Sequence, residues 1–333
     1  MKQIIDCSVC DGKAQLKAEQ KKRSYRNEKF DVVEQCYQCG KCNYSFTNNE
    51  VDQYNLNLLH NKYREKYQIP FPEQLINIRE TYGLTQTKMS ELLGFGPNQY
   101  RLYENCEMPS NANAMLLRLL LRPQSFRNII LENKQDDSDK SLDDLIRKIE
   151  KKINETNKSS LEKILFPNDI IPNSSTGFAL PDFKKFANMV IYFLDVAQFK
   201  TKLNKLLFYA DFTHFKYYGR SISGCEYAAI DMGPVPDNYK LIFGLLEEAN
   251  FVHSEIEPIM EKEVEKYFPS QTFNSAIFTD TEKDTLNLIC YTLGNLKTQS
   301  LIDKSHDEVA WQINSANKII IDYSFFAPQL KAL

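Results

Sequence analysis

The chain has 333 residues, 42% hydrophobic and 26% charged, with a formal net charge of −3. That balance excludes a disordered chain. No uninterrupted apolar run of membrane-spanning length occurs, and the start at Met1 has neither an apolar leader nor a small-residue cleavage site, so a cytoplasmic location without membrane contact is expected. Charge is uneven along the chain: residues 1–133 hold 18 Lys and Arg against 15 Asp and Glu, and the remainder holds 23 against 29. The basic excess is densest at Lys17, Lys21, Lys22, Arg23, Arg26 and Lys29, where phosphate neutralisation and a merely solvated hairpin surface are both open readings.

Residues 1–49 mix short β-prone runs, such as Phe30 to Val33, with polar turns and five of the eight cysteines. Cys7 and Cys10 form one CxxC unit, and Cys39 and Cys42 form a second. Paired CxxC units suit a closed tetrahedral zinc site rather than a disulfide framework, because each short loop brings two sulfurs to one ion and a domain this small has little other core. The predicted element is therefore a small β-rich zinc knuckle with structural Zn2+. Cys36 with Cys39 is also a CxxC unit and leaves the register open; Cys39 and Cys42 are preferred because Asn43, which tolerates left-handed geometry, follows them and Phe46 can then pack beneath. Four protein ligands leave no open position for catalysis at the metal.

From residue 50 to 132 the pattern is helical. Tyr54, Leu58, Leu59 and Tyr63 recur near one helical turn and predict a connecting helix before Pro70 and Pro72. A first helix over 73–83 ends at Gly83. A second starts at Thr85, buries Met89, Leu92 and Leu93, and stops at Gly94. A third starts near Pro97, with Tyr100 and Tyr103 inward and Asn98, Gln99, Arg101 and Leu102 outward. Asn and Gln pair with adenine and Arg with guanine, so Asn98, Gln99 and Arg101 form a candidate major-groove recognition face, while Gln86 and Lys88 are candidate phosphate contacts.

Residues 133–181 read as a linker: two polar tracts flank an amphipathic helix after Ser141, in which Leu142, Leu145, Ile146, Ile149 and Ile153 form one stripe. Packing on its own domain is preferred over docking or dimerisation. Residues 182–333 are again globular and mostly helical, interrupted by a glycine- and proline-marked section from Tyr218 to Pro236. There, Asp211, His214, Tyr209, His306 and Glu308 are the constellation that suggests acid–base chemistry, yet no serine or cysteine nucleophile sits beside a base.

The run Tyr82-Gly83-Leu84-Thr85-Gln86, with Leu93-Gly94 and Tyr103-Glu104-Asn105, resembles the Cro/repressor (XRE) helix-turn-helix signature. Together with the knuckle, the first 122 residues resemble the MqsA and YgiT antitoxins. Two departures fall in the third helix: Cys106 stands where a small residue, usually Gly, is expected, and Leu102 stands where Arg is common. The blocks Lys202 to Lys216, Tyr218 to Gly224, Met232 to Pro236, Ser305 to Trp311 and Ile321 to Tyr323 resemble the SocA-like, or Panacea, antitoxin domain over about Asp182 to Ala327. The fold class expected is mainly α with a small β-rich zinc knuckle, an XRE-type helix-turn-helix and a mostly helical SocA-like domain.

These resemblances imply a non-enzymatic antitoxin that binds a co-encoded toxin through the C-terminal domain and represses its own operon on double-stranded operator DNA. Tyr209, Asp211, His214, Tyr218, Arg220 and Pro234 are the candidate toxin-binding residues. A homodimer is expected from operator geometry. Two rival readings are a one-component regulator whose C-terminal domain senses a small ligand, and an enzyme using Asp211 and His214.

Overall fold

The computed structural model describes residues 1–133, 140–156, 160–259 and 262–332. The polar tract from Asn133 to Lys140 lies almost wholly outside them. The chain forms two compact units: residues 1–62 together with 173–333, and residues 63–172. The N-terminal sheet thus shares a unit with the C-terminal lobe, across an intervening helical unit, instead of standing as a separate domain.

The chain opens with β1 (Ile4–Asp6), β2 (Lys13–Tyr25), β3 (Glu28–Cys39) and β4 (Ser45–Phe46), an antiparallel sheet in that order. β2 and β3 are one long hairpin, registered from Ala14 opposite Cys39 to Tyr25 opposite Glu28. Its two-residue turn places Arg26 at φ 47° and Asn27 at φ 66°. Both central residues of a type I′ turn need positive φ, and its twist matches that of the strands. α1 (Asn49–Tyr67) follows, with Val51, Tyr54, Leu58 and Tyr63 buried at helical spacing, and the boundary between the units falls within it, after Lys62.

The second unit contains α2 (Pro72–Thr81), α3 (Gln86–Leu92), α4 (Gln99–Glu104), α5 (Asn111–Leu119), α6 (Pro123–Asn133), α7 (Lys140–Thr156) and α8 (Leu161–Leu165). Thr85 caps α3 by accepting from the Lys88 amide at 3.1 Å, and Ser110 and Ser160 cap α5 and α8 in the same way. One core joins Leu75, Met89, Leu92, Leu93, Tyr100, Tyr103, Leu117 and Phe126 to Leu142, Leu145 and Ile149. The amphipathic helix therefore packs on its own unit, as its stripe predicts, with Arg127 paired to Glu150 at its flank.

The C-terminal lobe contains α9 (Phe183–Phe193), α10 (Lys200–Tyr218), β5 (Tyr227–Ile230), β6 (Gly233–Pro236), α11 (Tyr239–Glu248), β7 (Val252–Ile259), β8 (Lys262–Pro269), α12 (Asp280–Leu293), α13 (Thr298–His306), α14 (Val309–Asn314) and α15 (Tyr323–Phe326). It is organised around α10, in which every residue from Leu203 to Lys216 is buried. A helical stretch with no solvent face lacks the amphipathic stripe of a surface helix, and its polar residues must find partners inside the protein. No helix among the described residues is long and apolar enough to cross a membrane.

Candidate metal centre, recognition helix and C-terminal lobe

The β1–β2 turn supplies Cys7 and Cys10, and the end of β3 and the turn after it supply Cys39 and Cys42. The four sulfurs lie within 4.8 Å of one another. Cys7 and Cys42 are 3.8 Å apart and Cys10 and Cys39 are 3.6 Å apart. A tetrahedral ion held by thiolates at about 2.3 Å needs sulfurs about 3.8 Å apart, so the set fits such an ion. Backbone amides already point at the sulfurs: Val9 to Cys7, Gly12 to Cys10 and Lys41 to Cys39, each at 3.4 Å. Gly12 is required by space, since a Cβ there would lie 2.9 Å from the Cys39 sulfur and 2.8 Å from the Lys41 Cβ. The Cys42 and Lys41 amides pull the Cys39 thiol down to about 6, which favours the thiolate a metal requires.

Cys36 is not in the cluster. It lies three positions from Cys39 on a strand, and side chains an odd number of positions apart point to opposite faces. The structure gathers Cys7, Cys10, Cys39 and Cys42 and leaves Cys36 apart. Asn43 is left-handed at φ 57° and Phe46 packs into the small core beneath the cluster, as expected.

In the helix-turn-helix, Gly94 at φ 65° turns the chain between α3 and α4. Ser90 Oγ accepts from the Tyr100 amide at 3.0 Å, and the Tyr100 hydroxyl donates to the Leu75 carbonyl at 2.9 Å, which fixes the roll of α4. Asn98, Arg101 and Leu102 are exposed and Gln99 is half-buried, so the outward set faces solvent together. Arg101 makes no ion pair among the described residues. Lys88 pairs with the exposed Glu91 at 2.9 Å, an interaction worth about 0–1 kcal/mol and easily exchanged for another anion.

Gln86 differs from its expected role. Its amide donates to buried Glu104, whose other oxygen accepts from Arg79 Nε at 2.6 Å. Gln86 therefore locks α3 against α4 rather than pointing free toward a phosphate. Cys106 holds φ 72°, which explains why Gly is usual there: a Cβ in the left-handed region costs roughly 1–2 kcal/mol.

In the C-terminal lobe, Asp211 is fully buried and accepts four hydrogen bonds: from the Ile222 and Ser223 amides at 2.8 Å each, from Ser223 Oγ at 2.6 Å and from the Tyr227 hydroxyl at 2.8 Å. It folds the loop after α10 around itself. Burial raises its pKa, and those donors only partly offset the shift. His214 Nδ1 lies 2.6 Å from the Arg220 carbonyl, so that nitrogen donates, and Nε2 lies 3.2 Å from Thr281 Oγ1. Burial pushes the His214 pKa down to about 4 and keeps the ring neutral.

Tyr209 reaches Glu308 at 3.5 Å, and Glu308 also accepts from the Lys331 and Ala332 amides. The Pro234 carbonyl accepts from Lys205 Nζ at 2.9 Å. Tyr209, Asp211, His214 and Pro234 are thus interior, and a side chain without exposure offers nothing to a docking partner in this conformation. Of the six candidates for toxin contact, only Tyr218, 43% exposed, and the half-buried Arg220 reach the surface.

Comparison with known families matches two segments. Residues 5–130 match the model described as the antitoxin component of a bacterial toxin-antitoxin system, MqsA. Residues 203–312 match the antitoxin SocA-like, Panacea domain. Both matched segments are thus similar to antitoxin families. The particular combination is an MqsA-type segment fused to a SocA-like one in a single polypeptide. No curated protein matches the chain.

Proposed function

We propose that the chain is an antitoxin that represses its own operon with the recognition helix α4 and neutralises a co-encoded toxin by protein–protein binding through the C-terminal lobe. The observation that carries the reading is the co-occurrence of two antitoxin-type segments, the first containing a helix-turn-helix whose exposed face holds Asn98, Arg101 and Leu102. A dimer reads two half-sites of operator DNA. The ion at the four cysteines is zinc, held structurally, because four thiolates leave no open coordination position. The protein works in the cytoplasm and by binding alone: the hydroxyls beside Asp211 and His214, those of Ser223 and Thr281, are engaged in hydrogen bonds within the lobe.

The test has two arms. A neighbouring reading frame that arrests growth when expressed alone should be rescued by this chain, and rescue should persist with Asp211→Asn if no chemistry is involved. Absence of any toxic neighbour overturns neutralisation. Titration of purified protein onto its own promoter DNA should weaken steeply with salt, and Arg101→Ala should relax preference at one base pair by about 1–3 kcal/mol. Unchanged specificity would place Arg101 on the backbone instead.

A further inference from the structure

The sheet that carries the cysteines is also one wall of the C-terminal lobe. Six consecutive residues of β3, Val32 to Tyr37, are buried, and a strand buried at successive positions is covered on both faces. β4 pairs with only Tyr37 and Gln38. At Gln35 the side chain of Asn55 takes over that edge, accepting from the Gln35 amide and donating to its carbonyl, both at 2.9 Å.

The Gln35 side chain points to the lobe. Its Nε2 donates at 2.6 Å to the carbonyl of Lys216, one of the final carbonyls of α10, which have no donor within their own helix. Gln3 Nε2 donates to the Tyr217 hydroxyl at 2.5 Å. Lys216 Nζ in turn donates to the Leu330 carbonyl at 2.9 Å, tying the end of α10 to the closing segment of the chain.

These contacts are short extensions of the metal site. Gln35 lies on β3 four residues before Cys39. Gln3 directly precedes β1, and its carbonyl accepts from the Leu16 amide at 2.9 Å. The core that places β1, β2 and β3 on one another is small: Ala14, Tyr37, Cys39 and Val51, with Cys7, Cys10 and a few half-buried side chains. Three of those residues belong to the cysteine cluster. A core of that size does not hold a sheet without its ion.

We propose that the metal centre governs the C-terminal lobe: the ion at Cys7, Cys10, Cys39 and Cys42 fixes Gln35 where it caps α10 and Gln3 where it holds the Tyr217 hydroxyl, and its loss loosens the lobe while the helix-turn-helix unit stays folded. That this lobe meets a toxin rests on the function proposed above; the loosening does not, because it is read on the lobe itself. Trp311 is the chain's one tryptophan. It sits in the lobe with its ring 3.8 Å from that of His306 and its Nε1 donating to the Ile230 carbonyl, so its fluorescence reports this unit alone.

The experiment takes the full chain before and after chelation of its metal, follows thermal unfolding by Trp311 fluorescence, and maps amide exchange. Metal removal should lower the Trp311 midpoint and speed exchange about tenfold or more over 212–218 and 326–332, with 86–104 unchanged. A Trp311 transition and lobe exchange indifferent to metal overturn the proposal, as does equal loosening of both units. Gln35→Leu with Gln3→Leu leaves the four cysteines intact, so this variant should bind metal normally. Its Trp311 midpoint should be lower and should no longer respond to chelation; an undiminished response to chelation sinks the coupling even if the cysteine variants fail to fold.

Discussion

Residues 63–172 and the unit made of 1–62 with 173–333 bury apolar surface by opposite routes. In the first, the bonds that set helix against helix span shorter separations: Ser90 with Tyr100 by 10 positions, Arg79 with Glu104 by 25 and, at the far end, Gln74 with Ile170 by 96. In the second, Gln35 meets Lys216 across 181 positions, Gln3 meets Tyr217 across 214 and Lys62 meets Asp322 across 260. Local contacts cost little loop-closure entropy and form early, whereas distant ones must be closed before they contribute. The helix-turn-helix unit therefore spreads its stability over many caps and short pairs. The other concentrates it in a few buried polar hubs on α10.

Breaking a hub should have the largest effect. Asp211→Ala leaves the Ile222 and Ser223 amides and the Tyr227 hydroxyl buried without an acceptor, and is expected to cost about 3 kcal/mol or more. The loss should appear in denaturant unfolding followed by Trp311 fluorescence. Exchange protection over 86–104 should be untouched, and a shared loss would erase the contrast between the units.

A second hub gives a pH signature. Burial pushes Lys205 down to about 7, with the Pro234 carbonyl as its acceptor, while in the unfolded chain its pKa is about 10.4. The unfolded state then binds more protons between those values, so the Lys205 contribution to stability rises with pH from about pH 7 by at most about 1.4 kcal/mol per pH unit. The measurement is the Trp311 midpoint at about pH 7 and about pH 9. Lys205→Met should flatten the rise, and a rise of equal slope in the variant assigns it elsewhere.

The smallest expected effect sharpens the other side of the comparison. Cys106→Gly relieves the left-handed backbone at φ 72° and should stabilise residues 63–172 by about 1 kcal/mol, seen as slower exchange in α4. No gain would mean that the surrounding turn already absorbs the strain.

The locality of the helix-turn-helix unit also made it readable. Thr85, Gly83, Gly94 and Tyr100 announce caps, turns and inward positions within one or two helical turns, so its helices fall where the pattern puts them. The metal centre was equally legible from its CxxC spacing, and the parity of a strand separates Cys36 from Cys39 once both are placed on β3. What misled was α10. Tyr209, Asp211 and His214 look like a constellation for contact or chemistry because a polar residue on a helix suggests a solvent face, and the stretch from Leu203 to Lys216 has none. Their partners are backbone groups and side chains of the following loop, α12 and the segment near Glu308. Gln3 and Gln35 carried no signal at all, because a side-chain amide that bonds a partner 214 or 181 residues away leaves no periodicity.

The split of one compact unit between residues 1–62 and 173–333 also sets an order of events at the ribosome. The cysteine-bearing sheet is made first and the helix-turn-helix next, while the strand face that the lobe will cover stays bare until α10 and the closing segment have emerged. A nascent or truncated chain can therefore carry a finished helix-turn-helix unit together with an exposed hairpin. Quality-control proteases that cut such hairpins would remove incomplete chains and leave the finished chain alone.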